Sequence, residues 1–362
     1  MPVQRSRAAA TLAAVVVAGV LAGCSAAPAP TAEVEGDAQA GGSTAYPLTV
    51  DNCGYEQTFT EKPSRVVLLN SMSVAEVETL ILLGLEDTIL ANAQNYGISD
   101  HPDMVEKIDA LPTGDVEMAG LFEIPAEQLF ALKPDLVIAT ASGGFDPSMG
   151  QASREELAEL GINTLVSPAN CAMGKENPTD AEIVALEDAT VESSFEFVTL
   201  VGDVFDKQAE AEALVTDRRA RIDAVSAAVE GLDKPKALIV VPSMSMMMPS
   251  GMPAVFLGGI FDDLLARAGT TGSLDGIGLD LRSSLNINPE HLSSADVDLL
   301  VIVGFMRDED LDAEAAKLFE EYPEWDAAKT NNYVSVSDGV YVGPTNAEAI
   351  EKIAEAAHPD AF

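Results

Sequence analysis

Pro125-Ala-Glu-Gln-Leu-Phe-Ala-Leu-Lys-Pro-Asp-Leu-Val-Ile138 decides the architecture of this chain. Its proline suits the first turn of a helix, where a missing N–H costs nothing, so a helix is expected over Pro125–Leu132 and a strand over Leu136–Thr140. A second stretch, Pro289-Glu-His-Leu-Ser-Ser-Ala-Asp-Val-Asp-Leu-Leu-Val-Ile302, repeats the plan. In both, Glu (127 and 290) precedes Asp (135 and 298) by eight residues, a Leu follows the Glu by two, and a proline opens the helix. The repeat predicts two lobes of similar build, with Glu127 and Glu290 in similar places.

Working outward, short β-branched and leucine-rich runs alternate with amphipathic stretches, the pattern of parallel strands covered by helices. First-lobe strands are expected over Arg65–Asn70, Thr88–Ala93, Leu136–Thr140 and Thr164–Ser167, with helices over Val74–Leu83, Pro125–Leu132 and Ser153–Leu160. In the second lobe the expected strands are Lys236–Val241, Leu299–Gly304 and Tyr333–Val336. Its expected helices lie near Val255–Ala268, Pro289–Ala295, Ala313–Glu320 and Asn346–Ala356. Between the lobes, Phe195–Glu230 holds no proline and one glycine, Gly202, with apolar residues at helical spacing. The expected fold class is α/β: two lobes with central, largely parallel sheets flanked by helices, joined by one long α-helix.

Arg5 and Arg7 precede an apolar run, Ala8 to Leu21, that is too short to cross a bilayer core and reads as a cleaved secretory signal. Its ending, Leu21-Ala-Gly-Cys24, resembles a bacterial lipobox, which implies diacylation of Cys24 and membrane anchoring. Residues 25–44, rich in Ala, Pro, Gly, Ser and Thr, read as a tether. The expected organisation is signal peptide 1–23, lipidated flexible tether 24–45, N-terminal lobe 46–193, connecting helix 194–231 and C-terminal lobe 232–362. With Cys24 assigned to lipid, Cys53 and Cys171 remain; outside the cytoplasm two such thiols pair, the alternative being two buried free thiols. A formal net charge of −39 makes nucleic acid an improbable partner. The three histidines, His101, His291 and His358, lack ligand spacing, so no metal site is expected, and neither a phosphate-binding loop nor a serine elbow is present. No enzyme reading is supported.

Tyr46-Pro-Leu-Thr-Val leading to Asn52-Cys-Gly54, Pro63-Ser-Arg-Val-Val67, Leu80-Ile-Leu-Leu-Gly-Leu-Glu-Asp87 and the two repeat segments occur in an order that resembles substrate-binding lipoproteins of iron-siderophore and cobalamin ABC importers. The resemblance runs from about Tyr46 to Phe362. It implies a monomer that captures a ferric siderophore between its lobes and delivers it to a membrane permease, with iron present only inside the ligand and no other cofactor. Cobalamin or haem are the close variants, and an exported enzyme or sensor on the same scaffold is the alternative. It also implies that Glu127 and Glu290 dock on permease arginines, which bind carboxylates in a fork; the plainer reading is that each complements its helix dipole.

Ligands of open α/β sheets sit outside the carboxyl ends of the strands. That rule nominates Asn70, Met72, Tyr96, Phe145, Met246, Met248, Arg282, Arg307 and Tyr341 as ligand-binding residues. The methionines from Met244 to Met252 would offer adaptable apolar surface, or fill the core. Arg282 and Arg307 would neutralise an anionic chelate, or pair with neighbouring acids.

Overall fold

The computed structural model describes residues 43–362 apart from 70–72, 119–123, 249–250, 277–278, 280, 282–286 and the side chain of Met246. The signal, most of the tether, Cys24, Asn70, Met72 and Arg282 lie outside the described residues.

A hairpin comes first, β1 (Leu48–Asn52) antiparallel to β2 (Tyr55–Phe59). Its two-residue loop is Cys53-Gly54, at φ 59° and 82°, the left-handed geometry that lets a tight hairpin follow the twist of its strands. Asn52 fastens the hairpin to the first sheet: its Nδ2 donates to the Val166 carbonyl at 2.8 Å and its Oδ1 accepts from the Val166 N–H at 2.9 Å.

The first lobe continues as β3 (Val66–Leu68), α1 (Ala75–Leu82), β4 (Ile89–Asn92), α2 (Met104–Asp109), α3 (Ala126–Leu132), β5 (Leu136–Ala139), α4 (Arg154–Glu159) and β6 (Asn163–Val166). Its sheet has the order β4-β3-β5-β6 and is parallel throughout. Then come α5 (Asp180–Glu187), α6 (Val191–Val204) and α7 (Gln208–Ala228). The second lobe holds β7 (Lys236–Val241), β8 (Ala254–Phe256), α8 (Gly259–Arg267), β9 (Thr271–Gly272), α9 (Pro289–Ser294), β10 (Leu299–Val303), α10 (Leu311–Glu321), α11 (Asp326–Thr330), β11 (Tyr333–Val336) and α12 (Asn346–Ala357). Its order is β11-β10-β7-β8, with β9 also beside β7; β8 alone among these strands runs antiparallel to its neighbour.

Strand alternation explains how the lobes hold together. In the first sheet Val66, Leu68, Leu136 and Ile138 face one way, and in the second Ala237, Ile239, Val301 and Val303 do; all join one hydrophobic core with α6 and α7. The opposite faces build separate outer cores, Val67, Val137 and Val166 in the first lobe and Leu238, Val240 and Ile302 in the second. Strands buried on both faces need continuous apolar runs, which is why the strand segments were plain in the sequence. Trp325 belongs to the second outer core, where it stacks on Tyr322 at 4.7 Å and donates from Nε1 to the Leu292 carbonyl at 2.9 Å.

Two expectations need correction. The segment read as one connecting helix is an antiparallel pair, α6 and α7, as the Glu192–Arg219 ion pair at 2.6 Å and the close approach of Gly202 to Ala211 show. The break is at Asp206, whose φ of 57° is left-handed, and the Lys207 N–H closes the helix end on the Gly202 carbonyl at 2.8 Å. An added Cβ on Gly202 would stand 2.6 Å from the Ala211 Cβ, so the glycine permits the helices to meet. The stretch Val255–Ala268, read as helix, opens instead with β8; Gly258 and Gly259, at positive φ, turn the chain into α8.

Candidate functional site

Between the lobes lies a buried polar seam. Asp100, in the loop after β4, accepts from the backbone N–H groups of Ser337 and Gly339 at 2.8 and 2.9 Å and from Lys352 Nζ at 2.7 Å. Glu78 on α1 accepts from Ser99 at 2.5 Å and, across the seam, from Thr345 at 2.9 Å. Asp338, beyond β11, accepts from Ser73 at 2.9 Å. Glu76 stays within the first lobe, accepting from Thr140 at 2.6 Å and Gln94 at 2.8 Å. Burial pushes the Glu76 and Asp338 carboxyls up to about 7 each, and burial, followed by the charge of Asp338, pushes Glu78 well up too.

A cavity of about 490 Å³ opens at the carboxyl ends of β7 and β10. Met247, Phe305, Met306 and Pro242 give it apolar walls; Glu309, Asp310, Glu314 and Lys317 supply its charges. Lys317 is bonded to Glu314, which leaves the site with an excess of negative charge. The Glu309 carboxylate accepts from the N–H groups of Met306 at 2.7 Å and Phe305 at 3.3 Å, fixing the loop that carries both side chains. Phe305 also meets Tyr96 of the first lobe, ring centroids 5.5 Å apart.

The first lobe has its own cavity, about 530 Å³, beyond β5 and β6, lined in part by Tyr55, Phe145, Arg154 and Lys175. Arg154 is a functional candidate that the sequence did not single out. It is 3% exposed, with Nε donating to Thr164 at 2.8 Å, Nη2 to Asn52 at 3.0 Å, and the Tyr55 ring 4.4 Å from its guanidinium carbon. Desolvation lowers its pKa to about 10, so it is a cation at neutral pH.

The nominated residues fall into distinct places. Tyr96 is buried in the contact between lobes, and Phe145 lines the first-lobe cavity. Of the methionine stretch, Met248 packs against the shared core, Met244 is fully within it, and Met247 lines the second-lobe cavity. Arg307 is committed to Asp109 at 2.5 Å, a bond from the second lobe to the first. Tyr341 stands edge-on to Phe256 and Phe261, at 5.8 and 6.1 Å, and packs against the shared core. Glu127 and Glu290 are exposed in the first turns of α3 and α9, as the repeat implied. Cys53 and Cys171 form a disulfide that ties the hairpin loop to the segment after β6. Among the described residues no cluster of His, Cys, Asp and Glu could hold a metal ion.

The family model of periplasmic binding proteins matches residues 70–339. An uncharacterised ABC transporter substrate-binding lipoprotein of Bacillus subtilis, YvrC, is 21% identical over 322 residues, covering 88% of this chain and 87% of that protein. A periplasmic binding protein from Veillonella parvula superposes with a TM-score of 0.66 at 17% identity, over 86% of this chain and 97% of its own. A protein of an ABC-type Fe3+-hydroxamate transport system from Saccharomonospora viridis gives 0.63 at 23% identity, over 86% and 99%.

Proposed function

Because this chain belongs to the periplasmic binding protein family, whose members are non-enzymatic substrate-binding components of ABC transporters, we propose that it captures a ferric hydroxamate siderophore between its lobes and passes it to a membrane permease. The observation that carries the reading is the second-lobe cavity, with methionine and phenylalanine walls and a negative rim. Three singly charged hydroxamates balance ferric iron, so such a chelate is neutral or, with an amine on its backbone, cationic. A tris-catecholate chelate is strongly anionic and haem carries two carboxylates; both would be repelled by Glu309, Asp310 and Glu314. The commitment of Arg307 to Asp109 points the same way. Iron enters only as part of the ligand. Diacylated Cys24 would hold the monomer at the outer face of the membrane, and Glu127 and Glu290 would dock on permease arginines.

Met247→Ala and Met306→Ala together test the placement of the ligand. Each removes apolar contact worth about 1 kcal/mol or more, so affinity for a ferric hydroxamate should fall roughly tenfold or further. Unchanged affinity with intact folding would move the ligand elsewhere.

A further inference from the structure

We propose that the seam between the lobes is a proton-operated latch, which holds while Glu78 and Asp338 carry protons and loosens when both ionise. The two side chains cross in opposite directions. Glu78 leaves α1 of the first lobe for the Thr345 hydroxyl of the second, and Asp338 leaves the second lobe for the Ser73 hydroxyl of the first, each at 2.9 Å. They are 0% and 1% exposed. Asp338 Oδ1 is buried without a hydrogen-bond partner, so on ionisation only the bonds from Ser73 and the Val74 backbone offset the lost hydration of the charge.

The surrounding charges add to the strain of ionisation. Glu76 and Asp100 face the seam from the first lobe beside Tyr96, and the Tyr341 phenol faces Asp338, Glu309 and Tyr96. From α12, Lys352 bonds to Asp100, and Glu348 is held by Arg218 at 3.4 Å and Arg221 at 2.7 Å, both from α7. The cations that reach the seam are thus already matched to other acids. Both carboxyls are raised, Asp338 to about 7, which sets the sign. A raised acid favours the closed contact fully below the ordinary carboxylate range; that contribution is lost progressively as pH rises towards about 7 and is gone above it. Asp100, bound by two backbone N–H groups and Lys352, is the fixed part of the joint. The latch does not depend on which ligand the cleft takes.

Amide hydrogen exchange on the full exported chain, corrected for intrinsic rates, reads the latch between pH 5 and pH 8. Protection of peptides spanning α1 and residues 337–346 should fall by on the order of tenfold to a hundredfold, while β5 stays unchanged. Glu78→Gln with Asp338→Asn should remove that response at residues 337–346 and reduce it in α1, where Glu76 still titrates. If the pair does not fold by circular dichroism, Asp338→Asn alone should weaken the response at least threefold. An infrared band from a buried protonated carboxyl should be present in the wild type at pH 6 and diminished in the variant. Constant protection in the wild type, an undiminished pH response in the variant, or no such band at pH 6 would each overturn the proposal.

Discussion

Glu76→Gln should stabilise the protein at alkaline pH and not at acidic pH. The Glu76 side chain is 1% exposed, on α1, with Oε2 held by Thr140 and Gln94 and Oε1 without a partner. Burial lifts its pKa from 4.5 to about 7. At ~1.36 kcal/mol per pH unit, the folded protein loses about 3 kcal/mol as the group ionises. The sign is that of a raised acid: this stability is present below about pH 4.5, falls away between there and about pH 7, and is absent above. Glutamine keeps an oxygen for Thr140 and Gln94 and never ionises; its unpartnered amide adds an offset that does not vary with pH. Urea unfolding of wild type and variant at pH 4.5, 6 and 8 measures the difference, which should shift in favour of the variant by about 3 kcal/mol from the first pH to the last. Because Glu78 and Asp338 are present in both proteins, the difference isolates Glu76. A difference constant to within about 0.5 kcal/mol would refute the burial argument.

Reduction of Cys53–Cys171, which are 118 residues apart in sequence, should lower stability by about 2–4 kcal/mol, and thiol labelling of the native protein should fail before reduction. Glu127→Ala with Glu290→Ala should leave ligand affinity within twofold of wild type and reduce cellular uptake more than either single change, measured by paired titration and transport assays. Cys24→Ala should move the protein from the membrane to the soluble fraction without changing its melting temperature.

What the sequence made legible were features encoded locally. Lys236–Val241 and Tyr333–Val336 were read with the boundaries they have: the first is apolar and buried from Ala237 onward, and the second, a half-buried edge strand, is marked by its aromatic and β-branched residues. The repeat placed Glu127 and Glu290 correctly in first turns, since proline and spacing are local signals. Asp206 was missed because one left-handed aspartate can turn a chain without proline or glycine, so helical periodicity continued across the break. The β1–β2 hairpin had a signal, Cys-Gly between alternating residues, that was read only as part of a family pattern. The seam was beyond reach: in a chain with 59 acids, nothing local separates Glu78 or Asp338 from a solvated surface carboxylate. Arg154 likewise looks like an ordinary first-turn residue behind the Ser153 cap, and only the tertiary fold buries it beneath Tyr55.

Equilibrium titration of the purified protein with an iron-loaded hydroxamate, an iron-loaded catecholate, haem and cobalamin, read by intrinsic fluorescence under one buffer condition, tests the central claim most directly. The negative rim of the second-lobe cavity leads us to expect saturable binding of the hydroxamate complex at least tenfold tighter than that of the catecholate or haem. Tighter binding of either anionic ligand, or of cobalamin, would contradict the account.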